Sequence, residues 1–499
     1  MANDAIFLGT RLDIEANRSS DSWQLVVPMS SLLGIVLALV LLMALAYRGV
    51  SVLLLAPSMA LLAALLSPGA PLLASYTQVF MPALGGFVIA YFPLFLLGAL
   101  FGKLMEDSGA ARVMAKAIVG WLGAQRAILA IVLACAALTY GGVSLFVVAF
   151  AVYPIATALF RQADLPKRLI PGTIALGAFT FTMTALPGTP AIQNAIPMPY
   201  FGTTPFAAPG LGLMGGAVML VLGTLWLVRR AAAATARGEG YGQHEEAAPV
   251  KDPATHAANG APHAESLTWG RAIAPVLLVL VLNYLLATWL LPALNTGYLA
   301  ESKFGGTTIG HVRGLWAVMV SLAAAIVLLM LLQRQQLPNL NQSLEHGASA
   351  SVMPLLNTAS QVGFGAVIAS LAGFAVLRDA VLAIAPDNPL VSVSIAVNLL
   401  AGITGSASGG MSIALQTLGE TWLSMGQTAG IAPELLHRVT AIATGGLDAL
   451  PHNGAVITLL GICGLSHRQS YADIFMVAVA IPVLALVVVV TLGSVFGSF

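Results

Sequence analysis

Two apolar stretches of this chain are interrupted in the same way. ALPGTPAIQ occupies 185–193 and ALPHNGAVI occupies 449–457. Each follows a Gly/Ser break in an earlier apolar stretch, YGGVS at 140–144 and GSASGG at 405–410. From Ser144 to Pro187 (187 − 144) and from Ser408 to Pro451 (451 − 408) the spacing is 43 in both cases. In hydrocarbon an unpaired backbone N–H or C=O costs several kcal/mol, so non-helical backbone survives there only inside protein or along a cavity. A matched pair of interrupted segments in two halves marks the binding site of a secondary transporter.

Composition supports a membrane setting. Hydrophobic residues make up 58% and charged residues 8%, against about 25% charged in an ordinary soluble domain. Mean hydropathy is +0.90. A net charge of +1 gives no sign of a nucleic-acid partner. Cys135 and Cys463 lie in apolar segments and read as reduced packing residues. The polar first 25 residues lack the basic start and short apolar core of a cleaved secretory signal. The first span, near 26–47, is therefore expected to remain, with Trp23 at the interface.

Apolar segments fall near 26–47, 50–66, 84–104, 127–140, 143–160, 168–186, 209–228, 272–293, 314–333, 350–375, 388–404, 406–423, 434–450 and 472–497. The order implies an all-α polytopic membrane protein: tail 1–25, first repeat 26–228, linker 229–269, second repeat 270–499. Segment starts 50, 84, 168 and 209 recur near 314, 348, 432 and 473, an offset of 264 (408 − 144).

Charge orients the chain, since short cytoplasmic flanks carry excess Lys and Arg. Arg126 before 127–140, and Arg161, Lys167 and Arg168 after 143–160, put both ends of that pair on the cytoplasmic side. The pair then reads as a re-entrant hairpin, with 388–423 as its counterpart. Counting each hairpin as one unit gives five crossings per half, so the second repeat is inverted. Of the 21 basic residues, only Arg11, Arg18, Lys303, Arg313, Arg378 and Arg438 then fall off the cytoplasmic face.

Pro187 and Pro451 lack an amide donor and clash with a preceding helical turn, so each is expected to end a helix at membrane depth. Gly188 and Gly454 complete the breaks. Helix ends in a cavity present partial charge to ions and substrates. Beside the first break stand Thr180, Thr184, Thr189, Gln193 and Asn194, and beside the second Asp448, His452 and Asn453. Thr180 and Thr184 would share a helix face. Asp448 and His452, four apart, suit a proton carrier at bilayer depth; a static pair fixing the break is the alternative. Hairpin tips add Ser144 in one half and Thr404, Ser406, Ser408 and Ser412 in the other. Asn357, Thr358, Ser360 and Gln361 line up in NTASQ. Each Ser or Thr alone could simply bond its own helix carbonyl.

The linker histidines 244, 256 and 263 lack metal-site spacing. The sequence contains no phosphate-binding loop of the ATPase type, no nucleophile–base triad and no zinc helix motif. No metal, cofactor or catalytic residue is therefore assigned.

LTYGGVSLFVVAF (138–150), FTMTALPGTPAIQN (181–194), PLLNTASQVGFGAVI (354–368), GITGSASGGMSIAL (402–415) and LDALPHNGAVITLLGICG (447–464) together resemble the gluconate:proton symporter (GntP-type) family of the ion transporter superfamily. The resemblance implies proton-driven uptake of gluconate, another sugar acid or 3-hydroxybutyrate across a bacterial inner membrane. It also implies a homodimer with a moving transport domain. Sodium-coupled relatives carry Ser-Asn-Thr at both tips; here the tips read Gly-Gly-Val-Ser and Ser-Ala-Ser-Gly-Gly. Sodium-coupled carboxylate uptake is the first alternative, and an intramembrane enzyme using Asp448 and His452 the second.

Overall fold

The computed structural model describes residues 29–46, 48, 50–242 and 267–499. The tail 1–25, with Arg11, Arg18 and Trp23, and the linker positions His244, Lys251, His256 and His263 lie outside them.

All regular structure among the described residues is helical. The first half runs α1 Met29–Ala46, α2 Val52–Leu65, α3 Leu72–Asp107, α4 Ala110–Leu122, α5 Ala127–Tyr140, α6 Leu145–Gln162 and α7 Ile170–Ala178. Three short turns follow, α8 Phe181–Thr184, α9 Ile192–Ala195 and α10 Pro197–Phe201, and then α11 Pro209–Thr235. The second half runs α12 Trp269–Ala293, α13 Ile309–Leu332 and α14 Leu340–Ser370. It continues with α15 Phe374–Ala383, α16 Pro389–Thr404, α17 Ala407–Thr428, α18 Pro433–Ala443 and α19 Gly454–Cys463. It closes with α20 His467–Phe496. Among the described residues eight helices are long and apolar enough to cross a bilayer, and the chain is a polytopic membrane protein.

The repeat is visible in where helices end. α5 stops at Tyr140 and α16 at Thr404, again 264 apart (404 − 140). α3 and α14, which occupy the same place in each half, pack along each other. The exchange extends outward: α2 packs on α14 while its counterpart α13 packs on α3, and α11 packs on α20.

Three boundaries differ from the sequence reading. Segment 50–66 folds as the 14-residue α2, about 21 Å long at 1.5 Å per residue. That is short of the roughly 30 Å hydrocarbon core. α14 begins at Leu340, ten residues before the apolar run at 350–375, because its first turns pack on α3 and tolerate polar residues. Gly347 illustrates this: a side chain there would meet the Leu100 backbone at 3.1 Å. α11 continues past 228 to Thr235, placing Arg229 and Arg230 within the helix. α4, unpredicted from hydropathy, buries only Ala110, Ala111, Met114 and Ala115. It turns 101° into hairpin 1 at Gly123, whose φ of 72° suits glycine.

Arg230 Nε donates to Asp473 at 2.9 Å, and Arg168 Nη1 to the same carboxylate at 3.2 Å. Arg168 also clasps Glu239 at 2.6 and 3.0 Å, which holds that carboxyl below the usual glutamate range. Arg168 and Arg230, both assigned by charge to the cytoplasmic side, thus meet in one cluster. Labelling tests that side. Gly240 is unsuited to a cysteine because Asp164 occupies the space its side chain would need, but Ala236 is exposed. On a background without Cys135 and Cys463, Gly297→Cys is expected to react with an impermeant thiol reagent on intact cells. Ala236→Cys should react only after permeabilisation. The reverse pattern overturns the inverted topology.

Candidate functional site

Each hairpin tip is tied to the break of its own half. In hairpin 1 (α5–α6) the chain turns through Gly142, φ 93°, and the Tyr140 hydroxyl donates to Pro187 O at 2.6 Å. In hairpin 2 (α16–α17) it turns through Gly405, φ 61°, and Asn453 Nδ2 donates to Gly405 O at 3.0 Å. The halves use different side chains for the same purpose, which is to hold irregular backbone together where water is scarce.

The prolines do not end the helices, contrary to expectation. α7 stops at Ala178 and α18 at Ala443, well before Pro187 and Pro451. Backbone turns at Thr180 (φ −115°, ψ −115°) and Gly446 (φ −111°, ψ −96°) cause the stop. Thr180 and Thr184 therefore share no continuous helix. Both hydroxyls bond backbone oxygens, Leu176 O at 2.6 Å and Thr180 O at 3.2 Å. Gly188 is the strained turn residue, with φ 81° and its nitrogen donating to Pro205 O at 2.8 Å. Gly454 is instead the first residue of α19, where Asn453 is the cap.

Asn194 and Asn453 have their whole amide bonding capacity used inside the protein. Asn453 Oδ1 accepts from Ala455 N at 2.6 Å and Val456 N at 3.2 Å, while Nδ2 also donates to Asp448 O at 2.8 Å. Asn194 Nδ2 donates to Thr189 O at 3.1 Å and Pro205 O at 3.0 Å. Its Oδ1 accepts from His437 Nε2 at 3.1 Å and Arg438 Nη1 at 3.2 Å. With two donors and two acceptor positions filled, each amide positions a break. Thr189, buried, accepts from Ala191 N at 3.3 Å through Oγ1.

Other predicted residues do present unused groups. Among the described residues Gln193 Oε1, Asn357 Oδ1, Gln361 Oε1 and Ser412 Oγ are buried without a hydrogen-bond partner. A buried unmet acceptor costs about 1–3 kcal/mol, so each of these groups calls for a donor from water, an ion or a ligand. Gln361 presses on Gly409 at tip 2, so a side chain at Gly409 would have to displace the Gln361 amide. Beside it Thr358 Oγ1 lies 3.3 Å from Ser408 Oγ, which is 3.5 Å from Ser406 Oγ. Ser406 also caps α17 by accepting from Gly409 N at 3.1 Å. Ser144 makes no such cap on α6. α9, which carries Gln193, packs on α17 as well. The stripe Asn357–Gln361 on α14 and the polar tip of hairpin 2 thus form one half-buried polar surface.

Asp448 and His452 do not share a helix face. Leu447–Ala449 is a 3₁₀ turn followed by extended Leu450, and the His452 ring rests against Gly405. The break is braced from α20, where His467 Nε2 is 2.9 Å from Pro451 O and the Tyr471 hydroxyl donates to Ala449 O at 3.1 Å.

Sequence reasoning missed the pair His437–Arg438 and assigned Arg438 to an external flank. Both are fully buried on α18. Their signal was present: two adjacent ionisable residues inside the apolar stretch 434–450. Asn283 was also missed; its Nδ2 donates to Gly188 O at 3.1 Å.

No protein-family model matches the chain. It is 47% identical over 450 residues to the uncharacterized transporter YxjC of Bacillus subtilis (strain 168), covering 89% of this chain and 95% of that protein. A shorter match, 42% identical over 85 residues, is to an uncharacterized transporter of Haemophilus influenzae; it covers 17% of this chain and 20% of that protein. The fold is similar to the crystal structure of the Alcanivorax borkumensis YdaH transporter, with TM-score 0.53 and 16% sequence identity. That match covers 84% of this chain and 87% of the other.

Proposed function

We propose, for a chain that belongs to the transporter family of Bacillus subtilis YxjC, proton-coupled uptake of a small hydroxylated monocarboxylate. Gluconate, another sugar acid and 3-hydroxybutyrate are the substrates proposed. The observation that carries this reading is the set of buried, unpartnered amide oxygens at Gln193, Asn357 and Gln361 beside the hydroxyls of Thr358, Ser406 and Ser408. Amide oxygens call for donors, which substrate hydroxyls supply; the Ser406 and Ser408 hydroxyls donate in turn to a carboxylate, while Thr358, whose proton goes to Pro354 O at 3.0 Å, accepts from Ser408. Ser144, with no capping bond of its own, is proposed as the substrate contact from hairpin 1. Asn194, Thr184, Thr189 and Asn453 hold the breaks that frame it.

Proton coupling is assigned to Asp448 and His452 at the second break, and their separation onto two successive turns, Leu447–Ala449 and the one closed by Asn453 N on Leu450 O at 2.9 Å, makes them two stations rather than one paired carrier. The protein is placed in the bacterial inner membrane, as a homodimer whose hairpins and broken helices move as a transport domain. Proteoliposomes with an inward proton gradient and no sodium are expected to accumulate substrate. Accumulation driven by sodium alone would favour the sodium-coupled alternative. Conversion of substrate by the purified protein would favour an enzyme.

A further inference from the structure

Arg438 is fully buried, and all five of its N–H donors reach neutral acceptors. Nε donates to Ala207 O at 3.0 Å, and Nη2 to Ala207 O at 2.8 Å and Pro205 O at 3.3 Å. Nη1 donates to Thr184 O at 3.3 Å and Asn194 Oδ1 at 3.2 Å. No ion pair joins it among the described residues. Its neighbour His437 does not change the sign. Asn194 Nδ2 is committed to two carbonyls, so Oδ1 faces His437 and accepts from Nε2–H, while Nδ1 lies 2.6 Å from Thr203 Oγ1, a hydroxyl that can donate or accept. Neutral or protonated, the ring brings no negative charge to Arg438.

Carbonyl dipoles satisfy the N–H groups of a guanidinium but leave its net charge in place, and burying that charge without a carboxylate is costly. In a low-dielectric interior such a charge acts over a longer range than in water. Arg438 stands directly behind the first break. Pro205 O accepts from both Arg438 and Gly188 N, and the Asn194 amide joins Arg438 to Thr189 O. We infer that Arg438 is a specificity-determining residue whose fixed, uncompensated positive charge makes the polar surface framed by the two breaks prefer an anion over a neutral molecule of the same shape. The inference rests on the carboxylate reading above and deepens it: the acid group is recognised by the field of a buried cation as well as by direct hydrogen bonds.

The test compares each acid with its amide, gluconate against gluconamide and 3-hydroxybutyrate against 3-hydroxybutyramide, in proteoliposome uptake. The parent should favour the acid. Arg438→Gln should lose about tenfold or more of that preference, and Arg438→Lys, which keeps the charge but not the five-bond fork, should stay within about threefold of the parent. Asn194→Asp, nearly the same size as the parent residue, places a carboxylate against the intact guanidinium and should also lose the preference, whereas Asn194→Leu, which gives up the same donations to Thr189 O and Pro205 O without adding charge, should keep it. That pair decides the matter if Arg438→Gln does not fold. A purely structural Arg438 gives a different pattern, with Gln and Lys lowering acid and amide uptake together at an unchanged ratio; that result overturns the inference. If the parent takes up neither acid, the carboxylate reading falls. The charge is then read by p-cyanophenylalanine in place of Tyr140, whose nitrile stretch should shift on Arg438→Gln or Asn194→Asp and hold on Arg438→Lys. An unmoved stretch in all three overturns the inference.

Discussion

Gly410→Ala is expected to abolish transport and remove the protein from the folded, monodisperse fraction. Gly410 sits in the first turn of α17, where hairpin 2 closes so tightly that a methyl group would overlap the Ala401 nitrogen and Cα and the Leu400 carbonyl carbon. These are backbone atoms of α16, so no rotamer change relieves the clash, and one helix of the hairpin must move away. Overpacking a well-filled site costs about 1–3 kcal/mol and more where backbone must shift; here about 3 kcal/mol or more is expected. Separation of α16 from α17 also displaces Ser406 and Ser408 from Thr358, so the loss of function should exceed the loss of stability. Gly98→Ala is the control. Gly98 lies inside α3 with nothing within 4 Å of an added methyl, and alanine there should be neutral or stabilising by about 0.5–1 kcal/mol. Thermal unfolding in detergent, followed by size-exclusion chromatography, compares the two. A Gly410→Ala protein that melts with the parent would show that the hairpin tip is not closed in this way.

Asn453→Ala should have the second largest effect, and it should fall on stability before binding. The substitution removes the cap of α19, worth about 1 kcal/mol. It also leaves Gly405 O and Asp448 O without their amide donor, at about 1–3 kcal/mol for each buried group left unmet. The sum is roughly 3–7 kcal/mol, enough to lower the melting temperature by on the order of 5–10 °C. Asn453→Asp restores the cap through its carboxylate oxygens but not the donations to Gly405 and Asp448. Its melting temperature should fall between parent and alanine. If Asn453→Ala weakens substrate binding at an unchanged melting temperature, the amide contacts substrate directly and its bracing role is secondary.

The contrast between these residues and their neighbours separates what one dimension encodes from what three decide. Hydropathy and Gly/Pro punctuation are local properties, so the membrane class, both hairpins and the existence of two matched breaks were legible in the chain. The 264-residue offset predicted that α5 and α16 would stop in equivalent places, and they do. Where α7 and α18 stop was not legible. After Gly446 the backbone leaves the helix because a partner across the bundle accepts it: Asn398 Oδ1, from α16, receives Leu447 N at 2.9 Å. Nor could sequence tell which polar residues are already spoken for. Asn194, Asn357 and Asn453 look alike as asparagines among apolar neighbours. The partners of Asn194 include His437 and Arg438, 243 and 244 residues away, while Asn357 Oδ1 has none. The same holds for Arg438. As one basic residue near the start of the apolar stretch 434–450 it reads as a membrane flank; buried among the carbonyls of the other half, it becomes a charge within the core. A side chain's valence is written in its residue type, but whether that valence is satisfied depends on groups that only packing of the two halves brings within hydrogen-bond range.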